Sequence, residues 1–288
     1  MKHLMITTAL VCAASGAAFA DGLTYGSVEG TYYDIEDVDF QTLTGSADYV
    51  TGNLSFTGNA GYLTVEDIDV YALGFTAGYA ITPGFTVYAA IDYIDVDSNF
   101  LDGDDTAYGL GVEYQAADFG VALDYRTWDD AGNDVLTLGG FYEFGASTAY
   151  AAYSDDEVFE TYMLGYTYEA DTWDVDVATT WAEDFDDGMT AIATSYDLND
   201  AFTLGVSLVT DNEDFGDYGI ATFGGSYNFT DTVSLEANYV TGFGYDDDAD
   251  GFGLALKWET GARRVRVLDQ IDHLAEDTTP LYDLLDLQ

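Results

Sequence analysis

One stretch of the sequence decides the fold: Phe119-Gly120-Val121-Ala122-Leu123-Asp124-Tyr125-Arg126. Its odd-numbered positions are apolar or aromatic, and its even-numbered positions are small or charged. Because successive side chains of a β-strand point to opposite faces, this strand has one apolar face and one polar face. Such alternation is typical of a strand that crosses a membrane with water on its polar side.

The same alternation recurs along the chain, for example at 85–93, 173–181 and 252–258. It predicts an all-β fold, a closed antiparallel transmembrane β-barrel of 16 strands within residues 21–260. The strands at 38–51 and 146–154 alternate least clearly, and the loss of one hairpin would leave 14 strands. Both counts are even, as single-chain bacterial barrels require.

Two rows of aromatic residues support this fold. The first row recurs every 26 to 35 residues, shortly before a turn, and comprises Tyr49, Tyr79, Tyr114, Tyr142, Tyr168, Tyr196, Tyr227 and Trp258. The second row lies at the other strand ends and comprises Tyr33, Tyr62, Tyr93, Tyr125, Tyr153, Trp181 and Tyr239. Two such rows around an aliphatic band indicate anchoring at both membrane interfaces. A soluble β-sandwich also alternates, but it gives the rings no reason to lie at strand ends.

The connections between strands fall into two classes. Those after the first row are short, as at Thr82-Pro83-Gly84, whereas those after the second row are longer and acidic, as at 95–105 and 211–217. Short turns are typical of the periplasmic rim and longer loops of the outer rim. The acidic loops are therefore expected to face the cell exterior.

The N-terminus predicts a secretory signal peptide at residues 1–20. Lys2 precedes an apolar stretch at 4–14, and Ala18-Phe19-Ala20 has the form of a cleavage site. The apolar stretch is shorter than the ~18 residues that a membrane helix needs. The chain's one cysteine, Cys12, lies within this segment, so we expect no disulfide in the mature chain.

Composition and residue types exclude several functions. The formal charge is −48, with 54 acidic residues against six Lys and Arg, so there is no basic surface for nucleic acid. The predicted mature chain keeps one histidine, His273, and its carboxylates are so numerous that pairs arise by chance. We therefore predict no enzymatic activity and no cofactor.

Strands that end in an aromatic residue, such as Leu110-Gly111-Val112-Glu113-Tyr114 and Phe252-Gly253-Leu254-Ala255-Leu256-Lys257-Trp258, carry a family resemblance. The chain resembles the Gram-negative general-diffusion porins, above all the acidic porins of alphaproteobacteria, over the predicted signal peptide and residues 21–259. The resemblance implies a 16-stranded barrel of the outer membrane, usually a homotrimer, that passes small hydrophilic solutes and ions.

The chain departs from that family in three respects. Porins usually fold a long third loop into the lumen, but the connection at 95–105 is short. They oppose several arginines to acids at the constriction, whereas here Arg126 and Lys257 are the available cations of the strands. Thirty residues also follow Trp258. Either the pore is wide, or another segment narrows it.

The alternation assigns a set of charged side chains to the wall of the lumen: Glu29, Asp92, Glu113, Asp124, Arg126, Asp174, Asp176 and Glu236. A water-filled tube lined by one sign of charge attracts counterions and repels co-ions. The pattern therefore predicts a preference for cations. The alternative is that these are ordinary wet wall residues and that the outer loops set the selectivity.

The run Asp246-Asp247-Asp248-Ala249-Asp250-Gly251 begins like a calcium-binding loop. Its twelfth position is Lys257, where such a loop needs a bidentate Glu, so we predict no built metal site. Loose binding of Ca or Mg by Asp246, Asp248 and Asp250 would allow the loops to bridge to the phosphates of lipopolysaccharide.

Residues 261–288 differ from the barrel. Their apolar residues recur at helical spacing: Val265, Leu268, Ile271 and Leu274. Their basic residues precede or overlap this pattern: Arg263, Arg264 and Arg266. We predict a short amphipathic helix. A periplasmic appendage is favoured because chain ends are seldom tied down; the alternative is a plug whose arginines enter the acidic lumen.

The functional hypothesis is passive diffusion through an outer-membrane porin with a cation preference. Two alternatives remain open: a structural or adhesive barrel whose acidic loops do the work, and a channel specific for one substrate.

Overall fold

The computed structural model describes residues 22–36, 38–98, 102–129, 132–156, 159–182, 188–244, 250–263 and 266–278. The predicted signal peptide lies outside the described residues. So do Asp246 and Asp248 of the calcium-like run, together with Arg264 and Val265 of the tail.

The described chain forms sixteen strands and one helix. The strands are β1 (Leu23–Ile35), β2 (Val38–Thr51), β3 (Leu54–Val65), β4 (Ile68–Thr82), β5 (Phe85–Asp97), β6 (Asp102–Gln115), β7 (Phe119–Trp128), β8 (Asp134–Phe144), β9 (Ser147–Asp155), β10 (Glu160–Glu169), β11 (Trp173–Ala182), β12 (Gly188–Asn199), β13 (Phe202–Asp211), β14 (Gly219–Thr230), β15 (Val233–Phe243) and β16 (Asp250–Gly261). The helix is α1 (Val267–Thr278). The prediction of 16 strands is confirmed, and both weakly alternating strands are present as β2 and β9.

The sheet is a closed barrel. Each strand pairs antiparallel with its neighbours in sequence, and β1 pairs with β16 from Tyr25 opposite Gly261 to Ile35 opposite Gly251. Closure leaves no strand edge with unpaired backbone groups. A spanning structure in lipid needs this property, because lipid offers the backbone no hydrogen-bond partner.

The two faces of the strands differ as the alternation predicts. On the outward face Leu110 is 68% exposed and Leu204 is 45% exposed, whereas on the inward face Ala107 is fully buried and Ala122 is 3% exposed. A band of exposed leucine, valine and phenylalanine around a barrel is the surface expected of a lipid-facing wall. The barrel therefore has the apolar outside and small or polar inside of a transmembrane fold.

The aromatic rows lie mostly on the outward face. Tyr142 of the first row is 56% exposed. In the second row the rings contact outward-facing neighbours, as Tyr62 does with Tyr71 at 4.9 Å between centroids and Tyr153 does with Tyr162 at 5.2 Å. Most of these rings lie near the two rims, and their role at the membrane interfaces stays a prediction.

Tyr33 is a correction to the second row. It is 6% exposed, and its ring covers Gly253 on the inner face. Its neighbour Tyr32 faces outward instead, with its ring 6.3 Å from that of Phe252 and its hydroxyl donating to Asp39 at 2.6 Å. Tyr33 lies four residues after Glu29 on an unbroken stretch of strand, so the period of two places both side chains on one face. Glu29 therefore cannot face the lumen while Tyr33 faces the membrane.

The connections define two rims. The turn rim carries connections of two or three residues at 52–53, 83–84, 116–118, 145–146, 170–172, 200–201 and 231–232. The loop rim carries the eight others, of which the longest is 212–218. The sequence predicts longer connections at this rim, but the first two, at 36–37 and 66–67, are two residues long. The prediction is wrong for these two. There Glu36 and Glu66 take left-handed φ angles of 57° and 49°, so a tight turn forms without glycine.

Candidate functional site in the barrel lumen

The predicted wall residues all lie on the inner face. In the cross-strand pairing Glu29 lies opposite Lys257, and Asp92 opposite Ala107. Glu113 and Asp124 are each 4% exposed on the inside of β6 and β7. Arg126 follows on the same face of β7, and Asp174, Asp176 and Glu236 line one internal cavity. The structure therefore brings these residues together around one lumen, although their role in conduction stays a prediction.

Helix α1 lies inside the barrel. Its apolar side chains Val267, Ile271 and Leu274 are 0%, 4% and 2% exposed. They pack against inner-face residues in two clusters, one with Ala122 and Phe141 and the other with Met163 and Ala178. Each such side chain gains about 1.5–3 kcal/mol from full burial relative to exposure. This placement corrects the favoured prediction of a periplasmic appendage and agrees with the plug alternative.

Glycines in the wall make room for the helix. A Cβ atom built on Gly120 would overlap Phe141 of the wall and lie 2.8 Å from Val267. One on Gly139 would lie 2.6 Å from Leu268 and 2.7 Å from Ile271, and one on Gly165 would overlap Leu274. Contacts below about 3 Å are not tolerated by packed carbon atoms. The wall thus has three hollows, on β7, β8 and β10, that receive apolar side chains of the helix, the first of them shared with Phe141 of the wall.

The first turn of α1 is held by charged side chains. The backbone N–H of Val267 donates to Glu113 at 3.3 Å, and that carboxylate is buried. Asp269 accepts from the backbone N–H of Arg266 at 3.4 Å, and its carboxylate also pairs with the Arg266 guanidinium at 2.6 Å. Carboxylates at this end of a helix satisfy N–H groups that have no partner within the helix and complement its dipole.

A compensated charge cluster forms where the tail meets the wall. Arg126 pairs with Asp92 at 2.8 Å and with Asp124 at 2.9 Å. Arg266 adds a second cation, whose guanidinium lies 5.3 Å from the centre of the Tyr88 ring and donates to Thr76 at 3.5 Å. We call this set, with Glu113 and Asp269, the arginine cluster.

Arg266 was absent from the predicted wall residues. Its signal in the sequence was the group of arginines before an amphipathic segment, but nothing in the alternation of the strands assigns a tail residue to the lumen. Burial alone would lower the pKa of the Arg266 guanidinium, but Asp269, followed by Tyr88 and Glu113, raises it above its ordinary value. Arg266 therefore stays charged.

The lumen beyond the helix contains an open cavity of about 600 Å³, which we call the acidic cavity. Four carboxylates line it: Glu169, Asp174, Asp176 and Glu236. Ser195 donates to Asp174 at 3.1 Å and Asn238 to Glu236 at 2.6 Å. No Lys or Arg is among the described residues that line this cavity, whereas Gln270 and Leu274 of α1 form part of its boundary.

Neither a metal centre nor a membrane-spanning helix is found among the described residues. Among these residues no group of three or more His, Cys, Asp or Glu could hold a metal ion. Asp250, the described acid of the calcium-like run, begins β16, where its carbonyl accepts from the Glu36 N–H at 3.0 Å. No helix in the described part of the chain is long and apolar enough to cross a membrane.

Comparison with known proteins finds the fold among porins. A triple mutant of the Rhodopseudomonas blastica porin superimposes with a TM-score of 0.57 at 13% identity, covering 83% of this chain and 99% of that chain. OpdQ of Pseudomonas aeruginosa gives a TM-score of 0.57 at 10% identity, covering 85% and 100%. No protein-family model matches the sequence, and no curated protein matches it. The resemblance to porins is thus confirmed for the fold, at identities that show the fold alone.

Proposed function

We propose that this protein is an outer-membrane diffusion channel for small hydrophilic solutes and ions. The observation that carries the proposal is the pairing of an exposed apolar outer wall with a lumen that contains an open, polar cavity. A barrel that served as an anchor alone would gain nothing from a wide inner face of small and polar residues. The porin folds of the structural neighbours support the same function.

The proposed selectivity is for cations. The acidic cavity presents four carboxylates, and the cations of the arginine cluster face acids at 2.6–2.9 Å, so they do little to offset the cavity. Interaction between charges weakens over about 8–10 Å at ordinary ionic strength, so carboxylates lining the passage act more strongly on a permeating ion than distant charges do.

The cellular setting is part of the proposal. The predicted signal peptide would direct export of the chain and be removed after residue 20. The barrel would then insert into the outer membrane with the turn rim toward the periplasm and the loop rim outside. Assembly as a homotrimer, contact with lipopolysaccharide and loose binding of Ca or Mg by the acidic loop stretches follow from the same hypothesis. If chelation of divalent ions leaves oligomer stability unchanged, the divalent bridge is ruled out.

Planar-bilayer recording of the refolded mature chain tests the proposal. We expect discrete conductance steps, and under a salt gradient a reversal potential of the sign that indicates cation flux. Absence of conductance would favour the structural or adhesive barrel, and a reversal potential of the opposite sign would overturn the cation preference. Saturation of flux with rising solute concentration would indicate a substrate-specific channel.

A further inference from the structure

Residues 266–278 belong to the described part of the chain and lie in the lumen without being part of the sheet. At the turn rim the connections are two or three residues long, and at the loop rim the longest is 212–218. Even this connection has only seven residues, and it must join two neighbouring strands. It therefore cannot also reach across a 16-stranded barrel. The tail leaves β16 at Gly261, where a φ of 83° turns the chain, and the Ala262 N–H donates to Thr24 at 2.8 Å.

The fit between α1 and the inner wall shows that the helix has one preferred position in the lumen. Gly120, Gly139 and Gly165 lie on three different strands, yet each lies under an apolar side chain of the helix. Glu113 and the Arg266–Asp269 pair hold its first turn on the same side of the lumen. A segment that entered the barrel without a specific seat would show neither matched hollows nor polar anchors.

The seated helix narrows the passage. Sixteen strands spaced about 4.8 Å apart and tilted by about 40° form a backbone cylinder roughly 30 Å across, with roughly 20 Å between the inner side chains. A helix with its side chains is about 10 Å across. It therefore fills roughly a quarter of the open cross-section, and Gln270 and Leu274 border the acidic cavity that remains.

We propose that residues 266–278 are the constriction element of this channel. They leave permeating solutes a path along the acidic cavity and place Arg266 beside Arg126 on the side of the lumen that the helix covers. This inference rests on the proposed function and extends it, because it names the segment that sets pore size. The expected consequence is a size limit and a conductance set by the tail rather than by a loop of the barrel.

Two kinds of variant test the constriction by single-channel conductance. The first is a chain truncated after Ala262, which keeps all of β16. The second is Gly165→Leu, which fills the hollow of Leu274 and displaces the helix while the tail stays present. Its matched control is Gly205→Leu: Gly205 also faces inward and borders the acidic cavity, but a Cβ there meets nothing closer than 3.9 Å.

We expect both the truncation and Gly165→Leu to raise conductance at least about 1.3-fold, the increase that recovery of a quarter of the cross-section gives. Both should also admit larger neutral solutes, whereas Gly205→Leu should not raise conductance.

The outcomes separate the two proposals. If the full-length protein conducts and neither variant exceeds it, the constriction is wrong and the channel function stands. If the truncated chain fails to fold, the comparison of Gly165→Leu with Gly205→Leu gives the answer, and equal conductance of these two overturns the inference. If no variant conducts, the proposed function fails and the inference fails with it.

Discussion

The lumen has two regions in which the same type of side chain has different surroundings. In the arginine cluster, carboxylates lie against guanidinium groups: Asp124 is 2.9 Å from Arg126, and Asp269 is 2.6 Å from Arg266. In the acidic cavity, Asp174 and Glu236 accept hydrogen bonds from neutral Ser195 and Asn238. In the arginine cluster the acids are compensated by cations, and this region holds the helix. In the acidic cavity these two acids have neutral hydrogen-bond donors instead, and this region stays open.

The difference teaches what an inward-facing acid contributes. An acid with an arginine within hydrogen-bond distance is part of the scaffold, because its field is cancelled nearby. An acid with neutral partners adds to the potential along the passage. Helix α1 separates the two regions, since Arg266 and Asp269 belong to one and Gln270 borders the other. The predictions that follow test this division, beginning with the largest expected effect.

Replacing Leu274 by Ala should loosen the boundary between the two regions. Leu274 is 2% exposed, fills the hollow over Gly165 and borders the acidic cavity. Loss of such a buried side chain costs about 2–3 kcal/mol, or roughly 30- to 150-fold in the equilibrium between seated and unseated helix. Amide hydrogen exchange of the helix, followed by mass spectrometry, should accelerate accordingly.

The control for that change is Asp272→Ala, at an exposed position of the same helix. We expect it to alter exchange in the helix far less than Leu274→Ala does. Similar acceleration by both changes would show that the helix is held by its own stability and not by the hollow in the wall.

Much of this architecture could be predicted from the sequence, because strands in a barrel obey a period of two over their whole length. The inward side of Asp92, Asp174 and Glu236 follows from that rule alone, and the strand count follows from it together with the two aromatic rows. Tyr33 was misassigned when its aromatic type was given more weight than its phase with Glu29. The general lesson is that position in the alternation outweighs residue type at strand ends.

The seat of the helix could not be predicted in the same way. An amphipathic pattern in 265–274 indicates an apolar face, but it does not identify the surface that this face contacts. The hollows at Gly120, Gly139 and Gly165 depend on which strands lie side by side around the barrel, so they become recognisable with the cross-strand register. Arg266 entered the lumen with the helix and for that reason escaped the strand-based assignment.

Neutralising the acidic cavity should have the second largest effect. In the triple variant Asp174→Asn, Asp176→Asn and Glu236→Gln, three carboxylates along the proposed path lose their charge. We expect the ratio of cation to anion permeability, from reversal potentials in a salt gradient, to fall about threefold or more, since selectivity follows the charge that lines a pore.

A matched control removes the same number of charges outside the lumen. Asp118→Asn, Asp171→Asn and Asp231→Asn alter exposed acids in three connections of the turn rim. The permeability ratio should change little. An equal fall in both triple variants would mean that total charge, and not the charge of the cavity, sets the selectivity.

The smallest expected effect is that of Arg126→Gln in the arginine cluster. The change removes one cation and leaves Asp92 and Asp124 without the guanidinium that now lies 2.8 Å and 2.9 Å away. The cation preference should rise, but by less than about twofold, because this cluster lies on the side of the lumen that the helix covers and screening weakens its effect on the passage.

Arg126→Lys keeps the charge and should leave the permeability ratio unchanged, although an ammonium cannot reproduce both contacts with the same geometry. For Arg126→Gln, a rise as large as the fall in the triple cavity variant would place the arginine cluster on the main path of the ions, and the division of the lumen into a compensated side and a conducting side would then be wrong.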